Sequence, residues 1–198
     1  MEWWRLTRSP TARRLYDRLA DRGVRVATMV RYVHRGPAPE RSLPAGTAVS
    51  RWRDGDPSTL PDVGADAAAG PRTALADLDS RDLALVCRVR GAYAGPVLLS
   101  DRPVPVDPLA ATVDVPGAYL HRLFVHPDHR GRGLAGGLVA RGLTAAGEAF
   151  GVDRTDALVA TDNRPSRATF ESVGFAAAER LDYLRVGPLD RRRRRPLE

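Results

Sequence analysis

Alternating apolar and polar positions divide most of this chain into short strands. The clearest pair consists of two apolar runs, 83–89 and 93–99, which a tight turn at Gly91 joins as a hairpin. Other strands follow from runs rich in β-branched residues or from regular alternation. They are predicted at 24–33, 47–53, 118–125, 157–160 and 175–186, the last with an interruption near Ala178.

Apolar residues at helical spacing predict fewer helices than strands. These helices are expected at 9–22, 73–80, 133–150 and 165–173. Pro165 stands where the first turn of a helix tolerates proline, and Gly174 ends that helix. The order of elements mixes antiparallel neighbours with strand–helix–strand units. It therefore predicts an α+β fold with a three-layer mixed sheet, largely antiparallel with one parallel pair, and helices on both faces.

The 198 residues are enough for one domain with an extension. A segment with three prolines, 36–46, is typical of a linker, so residues 1–45 are predicted to form a helix–strand extension and 46–188 the main domain. Residues 189–198 include five consecutive arginines, which predicts a disordered basic tail. We expect the extension to pack on the sheet, add a strand or form a homodimer contact.

A formal charge of +7 could indicate a nucleic-acid partner, but its origin argues otherwise. Every basic residue is an arginine, and the chain is also rich in Ala, Gly and Pro, which is typical of a compositional bias. Outside the tail, these arginines are scattered among acidic residues. We therefore expect no nucleic-acid partner.

Several other classes of protein are excluded by what the sequence lacks. No apolar run is long enough to cross a bilayer, and no signal-peptide core follows the basic N-terminus. Cys87 is the only cysteine and lies in an apolar strand, so it is interpreted as a small core residue. His121, His126 and His129 lie close in sequence, but no carboxylate-rich or cysteine frame accompanies them. We expect no metal site, no membrane partner and a cytoplasmic protein.

The segment 123–136 combines an apolar strand, a polar turn and a glycine-rich start of a helix. A helix start presents unpaired backbone N–H groups, and glycine lets a phosphate approach them closely. Taken literally, 131–136 also matches the dinucleotide pattern G-x-G-x-x-G. The context differs, because five residues separate the strand from Gly131 and an antiparallel hairpin precedes it. A phosphate-bearing ligand other than a dinucleotide is therefore predicted.

Two motifs identify that ligand by resemblance. Arg130-x-x-Gly133-x-Ala135, preceded by Leu-Phe-Val-His-Pro at 123–127, resembles motif A of the GNAT acetyltransferase superfamily. Downstream, Asn163-x-x-Ser166-x-x-x-Phe170-Glu171-x-x-Gly174-Phe175 resembles motif B of the same superfamily. The resemblance covers about 47–186 and implies the GNAT fold with acetyl-CoA, or another short acyl-CoA, as co-substrate.

The resemblance also implies which residues hold the donor. Backbone N–H groups from Gly131 to Gly136, with the charges of Arg130 and Arg132, would bind the pyrophosphate. The strand at 118–125 would bulge away from its neighbour, so that the pantetheine arm binds its exposed backbone and the Val125 N–H faces the thioester oxygen. The implied donor-binding residues are Leu123, Phe124, Val125, Arg130, Gly131, Arg132, Gly133, Leu134, Ala135, Gly136, Asn163, Ser166 and Phe170.

A GNAT enzyme transfers the acyl group directly to an amine in a ternary complex, so the protein needs only to manage protons. We favour His121 as the base, because imidazole titrates near neutrality. Strand alternation places Tyr119, His121, Leu123 and Val125 on one face. His121 also occupies a histidine place of serotonin N-acetyltransferases, although a half-buried structural histidine is the alternative. Tyr119 matches the glutamate base of histone-type members, but a phenol is a poor base.

Motif B departs from the family at Phe170, where a tyrosine usually protonates the departing thiolate. Water, the substrate's released proton or another hydroxyl such as that of Tyr183 would have to serve instead. The predicted function is acyl transfer to a small-molecule or peptide amine. A non-catalytic GNAT-like module that binds acyl-CoA is the alternative, and a nucleic-acid binder is a third class that rests only on charge.

Overall fold

The structure, a computed structural model, describes residues 24–53, 78–79 and 81–197. Its strands are β1 Val24–Arg35, β2 Thr47–Trp52, β3 Asp82–Val89, β4 Ala92–Ser100, β5 Val104–Val106, β6 Ala111–Val113, β7 Ala118–His121, β8 Arg154–Ala160, β9 Ala176–Val186 and β10 Leu189–Pro196. Eight of them form a sheet in the order β10-β9-β1-β8-β7-β4-β3-β2, while β5 and β6 pair separately. Only β7 and β8 run parallel within the described sheet. The predicted mixed, largely antiparallel sheet is confirmed.

The hairpin of β3 and β4 forms as predicted, but it carries a bulge. Its register shifts between Cys87 and Arg88, so that Ala94 is an extra residue on β4. A second bulge lies at Ala178 of β9, where the sequence predicts an interruption. Cys87 is fully buried in the main core, as expected, and burial raises the pKa of its thiol to about 11.

Strand β1 lies inside the sheet, between β8 and β9. Its Val30 and Tyr32 side chains are buried in the main core. The division predicted between residues 45 and 46 is therefore not a division of the fold, because the strand before it is central to the sheet. The expectation that the extension adds a strand holds for β1, whereas the helix predicted at 9–22 lies outside the described residues.

Two α-helices follow the parallel strands: α1 at Leu134–Phe150 and α2 at Arg164–Ser172. Both lie within two residues of the predicted bounds, and both pack on the same face of the sheet. Their buried side chains, among them Leu138 and Phe170, join the main core with the inward side chains of the strands. The helix predicted at 73–80 falls almost entirely outside the described residues.

The opposite face of the sheet carries a second core. The segment 101–117 contains the short β5–β6 hairpin. Its Val104, Val106 and Leu109 pack against Tyr119 of β7 and Tyr183 of β9. This hairpin therefore covers the face on which Tyr119 lies.

The C-terminal arginines form a strand rather than the disordered tail that their composition predicts. Strand β10 pairs antiparallel with β9 along its whole length. Backbone hydrogen bonds to β9 do not depend on the side chains, so alternate arginines can point to opposite faces. Arg192 lies over the ring of Tyr183 at 5.3 Å, and Arg195 pairs with Asp182 at 3.3 Å. Acidic and aromatic side chains on β9 thus offset the electrostatic repulsion among the five consecutive arginines.

Candidate functional site

The parallel pair of strands separates at Arg122. The register between β7 and β8 ends at Leu120 and Ala157. Arg122 follows with a φ of 50°, a left-handed conformation that is uncommon for arginine and marks a bulge. Beyond it the chain stays with β4, because Phe124 N–H donates to the carbonyl of Pro96 and His126 N–H to that of Ala94. The ladder between the two strands thus ends before residues 122–126 and 158–163, and the space between these two segments is here called the cleft.

The bulge reverses the faces of the residues that follow it. Tyr119 belongs to the second core, with the ring of His121 stacked on it. Leu123 and Val125, however, pack against the main core on the helix side. The prediction that all four share one face is wrong, because a residue in the left-handed conformation interrupts the alternation of the strand.

The backbone of Leu123 and Val125 is turned towards the cleft. Residues 124 and 126 donate to β4, and in an antiparallel ladder the intervening residues direct their N–H and C=O groups to the other side. The carbonyl of Val125 accepts a hydrogen bond of 2.9 Å from Nε of Arg130. An extended ligand could pair with this edge as an added strand would.

The turn before α1 has the form that an anion site requires. Gly131 and Gly133 have φ values of 74° and 76°, and a Cβ at either position would meet nothing within 4 Å. Gly133 is the N-cap of helix α1 and provides no side-chain cap, so the N–H groups of the first helical turn remain for a ligand or water. These observations fit a phosphate group at the start of α1.

The two arginines of the turn have different surroundings. Arg130 folds back onto the strand, with its guanidinium 5.9 Å from the centre of the Phe124 ring. Arg132 lines a cavity of about 270 Å³ together with His129, Leu134 and Arg90. Arg90 stands at the tip of the β3–β4 hairpin and adds a positive charge that the sequence motifs did not indicate.

His121 lies in a hydrogen-bonded row with two residues from neighbouring strands. Its Nε2 is 2.8 Å from Oγ of Ser100, and that hydroxyl donates to Oδ1 of Asp82 over 2.6 Å. Burial, together with the charge of Arg122, lowers the pKa of His121 to about 4. The imidazole is therefore neutral at physiological pH.

The two predicted tyrosines are both buried. Burial raises the pKa of Tyr119, whose ring stacks on His121 with 5.1 Å between centroids. Tyr183 is buried, and its hydroxyl donates to Asp190 over 3.3 Å. Tyr183 thus holds the C-terminal strand in place, and its role as a proton donor stays a prediction.

Motif B forms the start and the buried side of α2. The carboxamide of Asn163 accepts a hydrogen bond from the N–H of Ser166, which caps the helix beside the cleft. The ring of Phe170 is buried between Tyr32, at 6.2 Å, and Phe175, at 5.0 Å. Phe170 therefore contacts protein groups, and its predicted contact with the donor stays a prediction.

Sequence reasoning missed Asp82, Ser100 and Gly95. Asp82 directly precedes the apolar run at 83–89, and Ser100 directly follows the one at 93–99. A polar residue that continues the buried face of a strand was the available signal. The pairing of Asp82 with Ser100 depends on the bulge at Ala94, for which the glycine and proline that follow at 95 and 96 were the available signal. Gly95, with a φ of 142°, lies against the carbonyl of Phe124 and allows β4 to approach the bulged strand.

Comparison with known proteins assigns this arrangement to a class. The model of the acetyltransferase (GNAT) family matches residues 48–175, which is more than half of the chain. The chain therefore belongs to the GNAT family of acetyltransferases. No curated protein gives a significant match.

Solved structures share the fold at low sequence identity. A GCN5-related N-acetyltransferase from Kribbella flavida has a TM-score of 0.58 at 12% identity, over 85% of this chain and 62% of its own. A GCN5-related N-acetyltransferase from Sphaerobacter thermophilus has a TM-score of 0.57 at 17% identity, and the match covers 95% of this chain and 56% of that one. A GNAT-family protein from Novosphingobium aromaticivorans has a TM-score of 0.54 at 22% identity, and the match covers 82% of this chain and 66% of that one. The chain thus spans less than two thirds of the length of these structures. No described helix is both long and apolar enough to cross a membrane.

Proposed function

We propose that this protein transfers an acetyl group, or another short acyl group, from its coenzyme A thioester to an amine. The observation that carries this proposal is the separation of β7 from β8 at Arg122, next to a helix start with no side-chain cap. The cleft exposes backbone groups for an extended arm, and the helix start accepts an anion. A pantetheine arm ending in a pyrophosphate combines these two features.

In this proposal the donor lies along the cleft. The pyrophosphate binds at the turn of Gly131 and Gly133, where N–H groups and the positive end of α1 attract it. The side chain of Arg132 supplies a further charge. The pantetheine pairs with the backbone of Leu123 and Val125, so the N–H of Val125 lies within reach of the thioester oxygen. There it would stabilise the negative charge that develops during attack.

The reaction is a direct transfer. The lone pair of the amine forms a bond to the thioester carbon, and the carbonyl oxygen takes up the displaced electron pair. The tetrahedral intermediate then expels the thiolate and re-forms the carbonyl. One proton must leave the attacking nitrogen, and one reaches the thiolate from solvent, from the released substrate proton or from a hydroxyl of the protein.

His121 is the proposed acceptor of the proton from nitrogen. Its low pKa keeps it unprotonated and ready, but it also makes the imidazole a weak base. Transfer to it is favourable once the N–C bond has begun to form, because the nitrogen then carries a positive charge and becomes strongly acidic. The low pKa thus favours proton transfer from the intermediate over deprotonation of the free ammonium.

Binding and turnover test this proposal separately. Acetyl-CoA should raise the melting temperature of the protein, and desulfo-CoA should do so as well, because binding to the folded state stabilises it. Thiol release with a panel of small amines and peptides should then exceed the rate of hydrolysis alone. The absence of a thermal shift would contradict a coenzyme A site, whereas a shift without turnover would leave a binding module. A His121→Gln variant with the rate and pH profile of the parent would exclude His121 as the base.

A further inference from the structure

We propose that Asp82 and Ser100 are positioning residues that hold His121 in one tautomer, with its proton on Nε2 and its lone pair on Nδ1. The catalytic role of this positioning rests on the proposed function, whereas the assignment of the His121 tautomer does not. Asp82, Ser100 and His121 lie on three adjacent strands, β3, β4 and β7, and the charge on Asp82 sets the direction of the hydrogen bonds between them.

Asp82 is an ionised carboxylate. Although it is buried, its Oδ2 lies 2.6 Å from Nη2 of Arg102 and its Oδ1 lies 3.1 Å from Nε of the same side chain. The N–H of Asp79 also donates to Oδ2 over 3.0 Å. Burial opposes the charge, but the bonds from Arg102, Ser100 and the Asp79 N–H together lower the pKa of Asp82. An ionised carboxylate can only accept hydrogen bonds.

The charge on Asp82 fixes the direction of the next hydrogen bond. Ser100 has one hydroxyl proton, and its 2.6 Å contact with Asp82 requires that proton to be donated to the carboxylate. The hydroxyl oxygen can then only accept from His121 across the 2.8 Å contact with Nε2. Neutral imidazole carries a proton on one nitrogen, so Nε2 bears it and Nδ1 keeps the lone pair.

The fold holds this row in register. Asp82 lies opposite Ser100 in the β3–β4 pair, and Ser100 lies opposite Tyr119 in the β4–β7 pair. The ring of Tyr119 stacks on the imidazole at an interplanar angle of 4°. A ring that is stacked on one side and bonded at Nε2 has little freedom to rotate. The lone pair of Nδ1 is thus held in one direction, as a base requires.

The tautomer can be measured without any assumption about activity. In ¹⁵N NMR spectra at neutral pH, Nε2 of His121 should give the signal of a protonated ring nitrogen and Nδ1 that of an unprotonated one. The Ser100→Ala variant should move His121 towards a mixture of tautomers. A wild-type protein with its proton on Nδ1, or a Ser100→Ala variant with unchanged His121 signals, would overturn the proposal.

Kinetics test the positioning role. Ser100→Ala should lower kcat about tenfold or more while the KM for acetyl-CoA stays within about twofold, and Ser100→Thr should restore most of kcat because it keeps the hydroxyl. Ser50→Ala is the matched control, because that hydroxyl lies on β2 and bonds only weakly, at 3.4 Å, to the carbonyl of Val86. An unchanged kcat in Ser100→Ala would overturn the positioning role. If neither the parent nor any variant binds acetyl-CoA, the proposed function is wrong. The NMR measurement would still decide which tautomer His121 adopts.

Discussion

A Cβ atom at Gly95 would lie 2.0 Å from the carbonyl oxygen of Phe124. Gly95 also has a φ of 142°, which side chains of L-residues rarely adopt. The opposing atom belongs to the backbone, so no side chain can move aside. This contact sets how closely β4 approaches the bulged segment at 122–126, and so it shapes one wall of the cleft.

Replacing Gly95 by alanine should therefore destabilise the protein by at least about 2 kcal/mol, from a backbone clash together with an unfavourable φ. Urea denaturation would measure the loss. Gly147→Ala in α1 is the control, because the nearest atom to its Cβ would be 3.6 Å away. That change should leave stability equal or raise it by up to about 1 kcal/mol. Equal stabilities for the two variants would contradict the contact.

The low pKa of His121 predicts how stability depends on pH. An unfolded histidine has a pKa near 6.5, while the folded value is about 4, so the unfolded chain binds more protons between these two values. Stability is therefore fully present above about pH 6.5 and is lost as the pH falls towards 4. For His121 the loss is up to about 3 kcal/mol.

Denaturation midpoints at about pH 7 and pH 4.5 would test this pH dependence. His121→Gln should lose less stability than the parent on acidification. His34 also has a pKa that burial lowers, so some dependence remains in the variant. A variant with the full acid sensitivity of the parent would show that His121 titrates normally.

The charge preference of the turn before α1 can be tested at Gly133. Asn and Asp both tolerate a positive φ, and both have room there, but only Asp adds a negative charge. Asp should stabilise the start of the helix and yet repel a phosphate. We expect the Kd for acetyl-CoA to be about tenfold higher in Gly133→Asp than in Gly133→Asn, which corresponds to a loss of ~1.4 kcal/mol of binding free energy. Isothermal titration would measure both, and equal values would place the phosphate elsewhere.

The pairing of β10 with β9 predicts that the C-terminal arginines contribute to stability. Removal of residues 188–198 would expose the edge of β9 and take away the contacts of Tyr183 with Asp190 and Arg192. The truncated protein should lose about 2 kcal/mol, which lowers the Tm by about 5 °C. Arg194→Ser, a change on an exposed position, should shift the Tm by less than about 2 °C. A truncation without effect on the Tm would show that the strand is not formed in solution.

Local patterns determined much of this structure. The hairpin, both described helices and the glycine turn follow from periodicity, helix caps and turn residues, which act over a few neighbours along the chain. The spacing of the two motifs identified the family for the same reason, because each motif is one local unit. His121 could be singled out from its residue type, but its partners could not.

Tertiary structure decided what depends on pairing between distant segments. The sequence alone did not place β1 between β8 and β9, since strand order depends on the packing of the whole sheet. It predicted disorder for five arginines, because it could not supply the acidic and aromatic partners on β9. One extra residue at Ala94 brings Asp82 opposite Ser100, and a left-handed Arg122 puts His121 and Leu123 on opposite faces. A shift of one residue reverses which face a side chain occupies, so the identity of His121 came from the sequence and its environment from the fold.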